Sequence, residues 1–230
     1  MSNRNADDFD LTPELLLRAY TVGVFPMAES RDAPTISWID PRRRGILPLD
    51  ALHIPKSLRK TVRKGTFEVR CNTAFVDVIG ECAKRTRGRN ETWINDQIER
   101  AVNELHEMGY AHSVESWCDG ELVGGLYGVA LGGVFFGESM FSRATDASKV
   151  ALMHLMARLR LGRFKLLDTQ FVTDHLKRFG AIEVPARDFL KRLEAALAVH
   201  CLFPDDIDDE TLNAEFDRMF AESLPKPAGD

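Results

Sequence analysis

With 230 residues, 44% of them hydrophobic and 28% charged, the chain has a globular composition and enough length to bury a full core. No run of about 18 apolar residues exists to suggest a membrane span, and the polar, acidic first ten residues hold no signal-peptide apolar stretch, so a cytoplasmic location is expected. Cys71, Cys82, Cys118 and Cys201 are scattered with no CxxC pair and read as free thiols, not disulfides or zinc ligands.

In chain order, Thr12-Pro13 marks a helix start, a capping Thr followed by Pro at the first helical position, with Leu15, Leu16 and Ala19 behind it. Gly23 and Pro26 stop that helix. Residues 27–55, with Pro34, Pro41, Pro48 and Pro55, read as irregular. Residues 66–70 suit a short strand. Asn72 is placed to cap a helix whose apolar face is Phe75, Val78, Ile79 and Cys82. A second helix carries Ile94, Ile98, Ala101, Val102 and Leu105 and ends at Gly109. Strand-like segments at 112–117, 121–131 and 133–139, joined at Asp119-Gly120 and Gly132-Gly133, predict an antiparallel meander. A long helix at about 146–161, a strand at 165–171 and a helix at 187–199 follow.

This order predicts an α/β fold of the α+β type. A small N-terminal domain (1–52) precedes a catalytic domain (53–203) with helices around a mostly antiparallel sheet, a layout resembling the GNAT acetyltransferases. Residues 204–230 read as a partly disordered acidic tail in which Phe216, Met219 and Phe220 could form one docking turn.

The net charge of −5 is unevenly spread. The tail carries nine Asp/Glu against Arg218 and Lys226, a net −7, which leaves +2 on residues 1–203. Within these, Arg42, Arg43, Arg44, Lys56, Arg59, Lys60, Arg63 and Lys64 form one basic cluster, and Lys84, Arg85, Arg87 and Arg89 a second. Such runs are often solvated faces, but two in one chain favour a polyanion such as RNA.

Three segments can carry chemistry. In Gly132–Ser142 five apolar side chains surround one carboxylate, Glu138. That pattern suits a core strand with one outward Glu, or a pocket that holds an apolar group beside a cation. Asp168 and Gln170 stand two apart on a predicted strand and so share a face. There Asp168 could orient Gln170, whose amide would bind a reacting group; an amide is too weak a base to accept the proton itself. Trp38 and Trp93 are core residues or stacking platforms for a terminal base. The six histidines form no HExxH and no His/Cys cluster, so no metal is expected. Neither a GxSxG elbow nor a GxGxxG or GK[ST] phosphate loop is present.

Taken together, several segments resemble one family, the bacterial leucyl/phenylalanyl-tRNA–protein transferases. These are Leu16–Met27, Trp38–Gly45, His53–Leu58, Asn72–Phe75, Thr92–Ile94, Ala111–Glu115, Leu122–Ala130, Gly137–Ser142, Ala147–Lys149, Leu167–Gln170, His175 and Phe189-Leu190. The resemblance spans about residues 11–195. It implies transfer of Leu or Phe, sometimes Met, from aminoacyl-tRNA to proteins that begin with Arg or Lys, marking them for degradation in the N-end rule pathway. It also implies a GNAT-like catalytic domain and no metal or CoA.

By the same resemblance, Asp168 and Gln170 match the catalytic pair, and Glu138 a carboxylate at the acceptor site. Leu126, Phe135, Met140, Leu152, Leu155 and Leu167 match the pocket for the transferred side chain, and Trp38 and Trp93 the aromatics near the 3′ adenosine. Thr169 stands where some members have Cys, and Leu126 and Leu155 where some have bulkier residues. The basic clusters would hold the tRNA acceptor end. A monomer without cofactor is expected. An acetyl-CoA-dependent acetyltransferase is a weaker alternative, because Arg143–Lys149 lacks the glycine-rich pyrophosphate loop. A noncatalytic tRNA- or peptide-binding adaptor leaves the polar pair without a role.

Overall fold

The computed structural model describes residues 10–84 and 91–223. Thr12 caps α1 (Pro13–Thr21): its side-chain oxygen accepts the Leu15 N–H at 3.3 Å, and Pro13 opens the helix. β1 (Phe25–Met27) and β2 (Ser37–Ile39) form a small antiparallel ribbon. β3 (Arg43–Ile46) then leaves it. After α2 (Lys56–Lys64) come β4 (Glu68–Cys71), α3 (Phe75–Ala83) and α4 (Asp96–Glu107). β5 (Ala111–Cys118), β6 (Glu121–Leu131) and β7 (Val134–Ser142) form the expected meander. The chain continues with α5 (Ala147–Leu161), β8 (Leu166–Gln170), α6 (Asp174–Lys177), β9 (Ile182–Pro185), α7 (Ala186–Leu197) and α8 (Asp209–Glu222).

The main sheet has the order β4-β5-β6-β7-β8-β3-β9. Among the described residues only β7 and β8 pair in parallel, as the expected mostly antiparallel sheet allows; α5 is the crossover that a parallel pair requires. Side chains alternate between the faces. Tyr127, Val129, Val134 and Phe136 pack with α1, α3, α4 and α7, whereas Leu126 and Phe135 pack with α2, α5 and α8. α5 is buried on nearly all sides because the sheet covers its inner face and α8 its outer one.

Four local expectations change. Residues 27–55 hold two strands, β2 and β3, and the last residue of β1 instead of irregular chain. Strand β3 pairs with both β8 and β9, so residues 43–46 of the expected 1–52 domain lie inside the main sheet. Asn72 does not cap α3. It has φ +59°, and the buried Glu115 carboxylate accepts the Thr73 and Ala74 N–H groups at 2.9 Å each. Within the tail expected to be partly disordered, Asp209–Glu222 form a 14-residue helix, α8, that buries Leu212, Phe216, Met219 and Phe220; residues 224–230 lie outside the described residues. Asp208 caps it, accepting the Thr211 N–H at 2.8 Å. No helix among the described residues is long and apolar enough to cross a membrane.

Candidate active site

β7 and β8 pair only from Val134–Leu166 to Phe136–Asp168. Beyond that point β7 runs on to Ser142 beside β6, while β8 turns away at Gln170, whose φ is +54°. The two strands part, and the gap between them is a cavity of about 550 Å³. β6 shifts register between Tyr127 and Gly128. Gly128 is required there, because a Cβ would lie 2.3 Å from the Phe135 ring.

The cavity brings together most of the residues expected from the sequence. Leu126, Met140, Leu152, Leu155 and Leu167 line it, with Glu138, Gln170 and Trp93. Phe135 does not. It points to the opposite side of β7 from Glu138, is fully buried, and packs against Phe203 and under Gly128. Trp38 does not line it either. It sits 39% exposed on β2, and Met27 of the adjoining strand lines the cavity instead.

Glu138 is half-buried in the cavity wall, with Tyr20 and Gln170 beside its carboxyl. Its Oε1 accepts the Tyr20 hydroxyl at 2.8 Å. Burial pushes its carboxyl up to about 8, with the Asp168 charge adding to the rise and the Tyr20 bond and Arg44 opposing it. The neutral acid is therefore the main form at pH 7. The Gln170 amide has two orientations. In one, Nε2 donates to Glu138 Oε1 at 3.3 Å. In the other, the nitrogen donates to Gly137 O at 2.7 Å and Thr169 O at 3.1 Å. The second turns the amide oxygen toward Glu138, which suits a carboxyl that still carries its proton.

Asp168 is 0% exposed and does not line the cavity. It acts on Gln170 through the main chain: Oδ1 accepts the Gln170 backbone N–H at 2.9 Å. Arg44, expected on an RNA-binding face, is 1% exposed and binds Asp168 through two N–H groups at 2.9 and 2.6 Å. It is unavailable to a polyanion. Burial pushes the Asp168 carboxyl above its usual range, and the Arg44 guanidinium and the Gln170 N–H pull it back.

The other basic residues divide. Lys56, Lys60 and Lys64 are exposed on α2, and with Arg59 and Arg63 they line a shallow groove. Arg59 donates to Phe220 O at 2.7 Å and Arg63 pairs with Asp217 at 2.8 Å, so α8 braces this groove. Arg42 and Arg43 are exposed at the other edge of the sheet, where Arg43 pairs with Glu183 at 3.0 Å. Lys84 pairs with Glu81. Arg85, Arg87 and Arg89 lie outside the described residues. The lining residues that the sequence did not single out as site residues include Tyr127, Phe171 and His175. Burial, with Lys149 and Arg178 nearby, lowers the His175 pKa, so its imidazole is neutral at pH 7. No group of three or more His, Cys, Asp or Glu placed to hold a metal ion occurs among the described residues.

Residues 46–194 match the family model of the leucyl/phenylalanyl-tRNA protein transferases, and residues 9–42 match the model of that family's N-terminal domain. The chain belongs to this family. The leucyl/phenylalanyl-tRNA–protein transferase of Paramagnetospirillum magneticum is 64% identical over 188 residues, 82% of this chain and 90% of its own length. That of Nitrobacter winogradskyi is 57% identical over 195 residues (85% and 87%), and that of Rhodospirillum rubrum 55% over 199 (86% and 93%). Membership makes this chain an aminoacyltransferase with aminoacyl-tRNA as a partner. It fits a cavity that is apolar along one wall and carries hydrogen-bonding groups on the other.

Proposed function

We propose that this transferase moves Leu, Phe or Met from aminoacyl-tRNA onto the α-amine of proteins that begin with Arg or Lys, marking them for degradation. The observation that carries the reading is the placement of Glu138 and Gln170 on the rim of a leucine-lined cavity. The aminoacyl side chain fills the apolar wall formed by Leu126, Met140, Leu152, Leu155 and Leu167. Trp93 flanks the terminal adenosine. The exposed α2 lysines hold the acceptor stem through its phosphates, without reading its sequence.

In the reaction the acceptor amine attacks the ester carbonyl. A C–N bond forms, the ester C–O bond breaks, and the ribose oxygen leaves and takes up a proton. An aminoacyl ester is already activated, so positioning supplies much of the rate, up to about 7–11 kcal/mol in ideal cases. The amine must lose a proton before it attacks. A carboxyl near 8 matches an α-ammonium at roughly 7.7–8. Glu138 releases its own proton to solvent as the cationic N-terminus arrives, then takes the ammonium proton; the second proton passes from the attacking nitrogen to the leaving ribose oxygen. Gln170 holds the amine in line with the carbonyl.

The test is transfer of labelled Leu from Leu-tRNA to peptides that begin with Arg, Lys, Ala or Asp. Product is expected with Arg and Lys alone, and loss of it in Glu138→Lys. Equal rates with the Ala-starting peptide, or normal Arg and Lys transfer by Glu138→Lys, would refute the acceptor assignment.

A further inference from the structure

Arg44 makes more contacts than a buried ion pair needs. Beyond its two bonds to Asp168, it donates to Gly23 O at 2.8 Å. The Phe25 and Phe189 rings cover its guanidinium, with centroids 4.4 and 4.7 Å away. The next residue, Gly45, keeps β3 close: a Cβ there would lie 2.6 Å from the Phe171 backbone. The bonds close a circuit. Arg44 holds Asp168, Asp168 holds the Gln170 N–H, Gln170 meets Glu138, and Glu138 holds Tyr20. Tyr20 lies three residues before Gly23, where Arg44 also binds.

We propose that Arg44 is a positioning residue for transfer, fixing Gln170 through Asp168 and Tyr20 through the Gly23 turn. It touches no substrate, and the proposal rests on the transfer reading above. Packing alone does not call for this pair, since apolar residues of similar volume often fill such a space as well. An apolar pair cannot accept the N–H of Gln170, a residue held in the left-handed region. A lysine at position 44 would keep the charge but lose the two-pronged bond.

The test compares Arg44→Lys and the double variant Arg44→Met with Asp168→Leu in the full chain. Arg44→Lys is expected to lower kcat at least about tenfold while KM for Leu-tRNA stays within about threefold. The double variant is expected to melt near the parent temperature and to lose at least as much kcat. A second readout does not depend on transfer: the Gln170 backbone N–H resonance should move upfield and exchange faster in Arg44→Lys. Unchanged kcat in Arg44→Lys, or an unmoved Gln170 resonance, overturns the proposal. If the parent chain shows no transfer, the functional reading fails and with it the catalytic role of Arg44, and a resonance that still moves shows only that Arg44 fixes Gln170.

Discussion

Asp168 governs Gln170 through the main chain: its Oδ1 accepts the Gln170 N–H at 2.9 Å, which leaves the side-chain amide free to face Glu138 and the cavity. The pair therefore works in two layers. The buried carboxylate sets a left-handed backbone, and the backbone aims the amide.

Gln170→Gly separates these layers, because glycine keeps the positive φ without strain and removes only the amide. Its melting temperature should equal or exceed that of the parent, while transfer falls about 10–100-fold, a loss of ~1.4–2.7 kcal/mol in transition-state stabilisation. Unchanged affinity for Leu-tRNA by filter binding would place the loss in the transfer step.

Glu138 makes stability depend on pH. Its carboxyl stands near 8 when folded against 4.5 as the reference value, so the folded state binds the extra proton. The stabilising contribution is full below pH 4.5 and is lost as pH rises toward 8, by up to roughly 5 kcal/mol. Glu138→Gln does not titrate. Its melting temperature relative to the parent should therefore be higher at pH 8 than at pH 5, by at least about 5 °C, even though transfer is lost. Parallel melting curves at the two pH values would show that the Glu138 carboxyl is not shifted.

Leu155 lines the cavity and is buried. Leu155→Phe shortens the space for the transferred side chain. It should cut kcat/KM for Phe-tRNA more than for Leu-tRNA, by about 1–3 kcal/mol of discrimination. Competition between the two charged tRNAs for one acceptor peptide measures that ratio.

How much of this was legible beforehand depended on the range of the interactions. The meander β5–β7 announces itself through alternating side chains and glycine turns, and α4 through its apolar stripe. Glu138 stands out as a carboxylate among apolar residues, and Asp168 and Gln170 as a polar pair in an apolar strand, whereas the leucine wall is legible only through the family resemblance. Arg44 could not be read, because its partner lies 124 residues away and its neighbours Arg42 and Arg43 make it look like surface charge. β3 and β9, four residues each, are too short to show a period. Trp38 and Phe135 fall outside the cavity lining because periodicity gives a face, but only packing decides how far along that face the cavity reaches. α8 hid behind its acidic residues, although Leu212, Phe216, Met219 and Phe220 recur at helical spacing.

That helix offers its own test. Phe216 and Phe220 are buried against α5 and α2, so Phe216→Ala and Phe220→Ala should each lower unfolding free energy by about 3–5 kcal/mol in urea. Phe220→Ala should also loosen Arg59 and Arg63, whose guanidinium groups lie over its ring. Losses below about 0.5 kcal/mol would return the segment to a loosely attached tail.

The central claim is aminoacyl transfer in the cavity between β7 and β8, and one measurement reaches it directly. The full chain is mixed with Leu-tRNA and a peptide beginning with Arg, without ATP or CoA, and the peptide is weighed by mass spectrometry. A peptide heavier by one leucyl residue at its N-terminus is the predicted result. An unmodified peptide, or one modified only when acetyl-CoA is added, would contradict the account.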